Sequence, residues 1–159
     1  MDINRFAPPK AEVEGAPLGS TAAPPLWNPN AAANWSLLFT PVFGSWLHWR
    51  NWQALGETQH ATKARHWFIA AIVAMVGSAV VALSVTTRVA DLTSRAVSIG
   101  FLIVWYYAAA KPQVSFIKAR YGHAYARKGW LVPILVAIGL CIAFTAGAVL
   151  LALLLGARA

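Results

Sequence analysis

Residues 131–155 read LVPILVAIGLCIAFTAGAVLLALLL, twenty-five positions without a charge. An α-helix rises about 1.5 Å per residue, so this run outreaches the roughly 30 Å hydrocarbon core of a bilayer. The surplus length permits tilt. Pro133 falls in the first turn, where a missing N–H costs little. Gly139, Ala143 and Gly147 recur every four residues, a row small enough for another helix backbone to approach. The run reads as a transmembrane helix, and it sets the class of the whole chain.

Composition agrees. Of 159 residues, 58% are hydrophobic and 11% charged, where a soluble chain carries roughly 25% charged residues. Eight tryptophans suit a protein with many apolar bodies beside a wet edge. A second run, residues 68–87, is FIAAIVAMVGSAVVALSVTT, again uncharged. Its row of small residues is Ala70, Ala74, Ser78 and Ala82. A third segment covers about residues 92–110, with Asp91 and Arg95 placed to pair four apart at its start. Trp105, Tyr106 and Tyr107 mark its other end, before Lys111 and Pro112. The short link between these two segments makes them antiparallel neighbours.

Residues 31–49, AAANWSLLFTPVFGSWLHW, are the ambiguous stretch. Ser36, Thr40, Gly44 and His48 recur every four residues, a small and polar stripe on one helical face. Pro41 removes a backbone donor in mid-segment. A kinked span, a re-entrant hairpin and an interfacial amphipathic helix all fit. The expected fold is therefore all-α, a polytopic transmembrane bundle of three spanning helices plus a fourth, N-terminal helix that is kinked or re-entrant. Residues 1–30 read as a flexible tail and residues 31–159 as the membrane domain. The tail holds six of nine prolines and three of five acids, too little apolar surface to offset the entropy of ordering. No apolar leader opens the chain, so the internal segments are expected to drive insertion.

The net charge of +8 lies in short segments beside apolar runs, the arrangement expected against anionic lipid and not against nucleic acid. Lys111, Lys118, Arg120, Arg127 and Lys128 fill the stretch 111–130 without an acid; Arg50, Lys63 and Arg65 face one acid, Glu57, in 50–67. Both loops are expected on the cytoplasmic side. Lys118, Arg120, Arg127 and Lys128 are the candidate contacts for anionic headgroups or a protein partner. If residues 31–49 cross, the tail lies outside; if they only dip, it stays inside. The stretches His60–Trp67 and His123–Trp130 both run from His-Ala through basic residues to a Trp. A tandem duplication would explain this and favours a crossing first segment. Because the shared letters are few, ordinary interfacial residues before a helix are the plainer explanation.

Chemistry is sparse. His48, His60, His66 and His123 fall on the cytoplasmic side without the i, i+4 spacing of a metal pair. Cys141 is a lone thiol in an apolar run, a small hydrophobe by type. No phosphate loop, paired carboxylate or nucleophile–base order is visible, so neither enzyme, cofactor nor metal is expected. The row Asn4–Val13, NRFAPPKAEV, and the block Trp27–Gly56, WNPNAAANWSLLFTPVFGSWLHWRNWQALG, resemble those of small, uncharacterised proteobacterial membrane proteins. The resemblance implies a bacterial inner membrane and carries no activity or site residue with it. The expected function is that of an interaction or accessory protein, or a protector against a membrane-acting toxin, working through a protein partner or a second copy. A small oligomeric transporter or channel, lined by the Ser36–His48 stripe, is the alternative.

Overall fold

The computed structural model describes residues 23–84, 88–154 and 156. They form α1 (Pro29–Ala54), α2 (Thr58–Ser84), α3 (Arg88–Trp105), a π-helical turn (Tyr106–Ala110), α4 (Lys111–Tyr121) and α5 (Leu131–Leu154). Among the described residues, three helical stretches are long and apolar enough to cross a membrane: Thr58–Val81, Asp91–Tyr121 and Leu131–Leu154. The chain is a multi-pass membrane protein. Leucines, valines and isoleucines cover the outside of α2, α3 and α5, as lipid-facing helices require.

The first helix folds back on itself. It is capped by Asn28, whose side chain accepts from the Asn30 and Ala31 amides, and Pro29 occupies the first turn. Eleven residues later the chain reverses. Thr40 takes φ 78° and ψ 159°, and Pro41 begins a second arm that runs back along the first. In an unbroken helix Gly44 and Ala32 would stand about 18 Å apart. Here a Cβ on Gly44 would lie 3.1 Å from the Ala32 carbonyl oxygen. The mouth of the hairpin is tied in the same sense. Asn51 Nδ2 donates to the Trp27 carbonyl at 2.8 Å, while its Oδ1 accepts from the Trp27 amide at 3.0 Å. At 1.5 Å per residue the arms 29–39 and 41–54 are about 16 and 21 Å long, each short of a roughly 30 Å core. Of the three arrangements open to residues 31–49, the reversal at Thr40 fits the re-entrant hairpin.

Residues 23–28 belong to the fold, which corrects the tail boundary at residue 30. Leu26 is fully buried, and its N–H donates to the Ala126 carbonyl at 3.0 Å. The Lys128 amide donates back to the Leu26 carbonyl at 2.9 Å, and Trp27 Nε1 donates to the Gly129 carbonyl at 3.1 Å. Burial of one leucine and satisfaction of the backbone offset the ordering cost that composition alone suggested. The remainder of the tail, residues 1–22 with the row Asn4–Val13, lies outside the described residues. The strap at 26–27, the turn at 55–57 and the loop at 122–130 thus share one end of the molecule.

Both basic stretches are more helical than their sequence suggests. α2 starts at Thr58, and the third span continues past Ala110 to Tyr121. The proline at 112 is absorbed by the π-turn before it, in which the Lys111 amide bonds the Tyr106 carbonyl, five residues back. These extensions are held by protein: Ala61 and Ala64 pack on Trp52, and Ile117 is 2% exposed. The two His-Ala stretches differ in conformation, the first helical within α2 and the second irregular at 123–130. With the first segment turning back as well, the halves are not structural repeats.

Candidate functional site

The arms of α1 bring the predicted stripe inside the protein, but not as one continuous face. Ser36 is 2% exposed, His48 is 1% exposed, and Gly44 is buried. Thr40 sits at the tip. Because the chain reverses there, Ser36 and Gly44 face each other across the hairpin, and a Cβ on Gly44 would land on the Ser36 hydroxyl. Ser36 Oγ donates to the Ala32 carbonyl at 3.0 Å, so its polarity is spent within its own arm. The stripe is the seam of a packed hairpin.

His48 continues that seam toward the hairpin mouth and meets the third span. Its ring stands edge-on to Trp105, centroids 5.6 Å apart at 86°. The Gln113 amide donates to the His48 backbone carbonyl at 2.8 Å. The π-turn is what aims both partners. Eight residues in a regular helix would leave Trp105 and Gln113 about 80° apart around the axis; one extra residue in the turn reduces this to about 20°. Trp105 is 1% exposed and Gln113 fully buried.

This junction holds four buried polar atoms without a hydrogen bond: His48 Nδ1 and Nε2, Trp105 Nε1 and Gln113 Oε1. The ring nitrogens lie toward Gln113 and the Pro29 carbonyl without completing a bond to either. Neutral histidine offers one donor and one acceptor, tryptophan a donor and glutamine an acceptor. A molecule that both donates and accepts matches this set, water being the smallest. A metal ion does not, since one imidazole is the sole strong ligand and the indole N–H points the wrong polarity. Among the described residues no group of three histidines, cysteines or acids could hold a metal.

The basic candidates share the strap end but form no single cluster. Arg120 closes the last turn of α4 and pairs with Glu57 at 3.2 Å. Lys128 lies over the Trp27 ring at 4.3 Å, and Arg127 over Tyr125 at 5.9 Å. Lys118 is exposed beside Arg120 on the same turn. The Asp91–Arg95 pair forms at 3.1 Å on the exposed far end.

Of the small-residue rows, Ala74 and Ser78 of α2 line a cleft of about 650 Å³ beyond the hairpin tip. Ala70 is half-buried beside Ala71, which is 3% exposed; Ala82 lies outside the described side chains. On α5, among the described residues, a Cβ on Gly139 or Gly147 would meet open space, and Ala143 is exposed. α5 instead leans on the hairpin through Pro133 and Ala137.

Asn51, Gln113 and Trp27 make side-chain hydrogen bonds between distant segments, yet nothing in local sequence marks them for that role. Gln113 sits in a stretch that reads as a basic loop, and Asn51 among exposed-looking polar residues. No known protein family, curated protein or solved structure matches the chain.

Proposed function

We propose that the protein is a non-enzymatic interaction protein of a bacterial inner membrane, an accessory subunit or a protector against a membrane-acting toxin. The observation that supports this reading is the lopsided packing of the bundle. Toward the strap end, the hairpin, α2, α4 and α5 enclose three apolar clusters that include tryptophans. Among the described residues, a 650 Å³ cleft opens at the hairpin tip between α2, α3 and Phe144 of α5. Its walls are small residues of α2, the hairpin residues Leu37, Leu38, Pro41 and Val42, and a mainly apolar face of α3 that also carries Ser94, Arg95 and Ser98, a lining suited to a transmembrane helix of a partner. The strap end carries the excess of Lys and Arg, which favours the cytoplasmic side for it.

The alternative, a small oligomeric transporter or channel, draws less support, because Gly44 and His48 are enclosed by protein, and only Ser36 and Thr40 of the stripe border the cleft, whose lining is mostly apolar. Photo-crosslinking in native membranes separates the two. With Cys141 replaced by alanine, a maleimide crosslinker at Ser98→Cys, in the cleft, should yield one protein adduct of defined mass. Leu153→Cys, 71% exposed in the parent and away from the cleft, should yield none. Identical adducts at both positions, or solute flux through the purified chain that Ser36→Ala abolishes, would defeat the interaction reading.

A further inference from the structure

A second cavity, of about 230 Å³, lies on the strap half of the molecule, outside the hairpin junction. It is walled by Trp52, His60, Lys63, His66, Trp67 and Pro112. We propose that it binds the phosphate headgroup of an anionic phospholipid.

Three features carry this. The first is level. Trp67 stands immediately before the uncharged run of α2, and Pro112 immediately after the apolar part of the third span. Both walls of the pocket therefore lie where hydrocarbon gives way to headgroups. The second is charge. His60, Lys63 and His66 follow at intervals of three along α2, on neighbouring faces of the helix. No acid lines the cavity. The nearest acid in sequence, Glu57, is bound to Arg120, and among the described residues Lys63 forms no ion pair. An ammonium and two imidazole N–H donors match phosphate oxygens. The third is the floor. His60 is fixed by stacking on Trp52, centroids 4.4 Å apart at 16°, and Ala108 and Ala109 of the π-turn complete an apolar base. That base suits the glycerol and first methylenes of a lipid; a free phosphate ester has nothing to place there.

The site lies on the strap half, and the test exploits that. The full chain in mild detergent is titrated with phosphatidylglycerol and with phosphatidylcholine, and bound lipid is read by native mass spectrometry. Phosphatidylglycerol should bind several-fold more tightly. Lys63→Gln should weaken it about fivefold, the effect of one well-placed cation at a membrane surface. The paired His60→Gln, His66→Gln variant should weaken it further, while Arg88→Gln, exposed at the opposite end, leaves it within about twofold. Glycerol phosphate in excess should not displace the lipid. Equal affinity of Lys63→Gln and the parent would overturn the proposal, as would an equal loss with Arg88→Gln. Displacement by glycerol phosphate would overturn the lipid assignment in favour of a free phosphate ester. Lys63 is exposed, so an unchanged thermal midpoint verifies that each loss is local.

Discussion

Two residues decide how closely the seam of α1 packs. Gly44 has no room for a methyl group: an added Cβ would strike Ser36 and come within 2.8 Å of the Trp105 ring. Gly44→Ala should therefore lower stability by about 1–3 kcal/mol, the range for overpacking a closed site. Gly147→Ala, in open space, should leave the thermal midpoint in detergent within error of the parent, and equal behaviour of the two would refute the seam. His48 tests the polar junction differently. A buried polar atom without a partner costs about 1–3 kcal/mol, and replacing it by apolar shape removes that cost. His48→Phe should be at least as stable as the parent, whereas His48→Ala should lose about 2 kcal/mol through the cavity it leaves. A loss in His48→Phe as large as in His48→Ala would mean that the ring is held by polar bonds.

Among the elements, the hairpin is where sequence reading reached its limit. Pro41 located the break, and ψ 159° at Thr40 is what a residue before proline prefers; the every-four spacing read as one face, which the reversal divides. The direction of the chain after the break depends on partners far away in sequence, Asn51 with Trp27 and His48 with Gln113. No local pattern encodes those pairs. The π-turn was hidden for the same reason: Lys111-Pro112 reads locally as an end, and only the burial of Gln113 and Ile117 keeps the helix going. The long apolar runs needed no such information, because hydrocarbon imposes helix on each of them separately. The positive φ of Thr40, 78°, is costly for a β-branched residue, on the order of 1–3 kcal/mol. Thr40→Gly should relieve most of it, less the entropy of a freer unfolded chain, for a net gain of about 1 kcal/mol. An unchanged or lowered midpoint in Thr40→Gly would indicate an unstrained tip.

At the scale of the molecule, the hairpin sets the topology. It packs the strap half with aromatic side chains, and its tip walls the cleft between α2, α3 and α5 on the other half. The strap, the 55–57 turn and the 122–130 loop lie together, with the start of α3 opposite. The basic residues predicted that the two loops share a side; they left the position of the tail undecided, because that depends on whether a 19-residue segment crosses. The direct test is side-specific cysteine labelling in sealed vesicles of known orientation, with Cys141 replaced by alanine and single cysteines at Pro25, Gln59 and Arg88, all exposed. An impermeant maleimide should label Pro25→Cys and Gln59→Cys from one side only, the same side, and Arg88→Cys from the other. Labelling of Pro25→Cys and Gln59→Cys from opposite sides would show that residues 29–54 cross the membrane and would contradict the re-entrant hairpin.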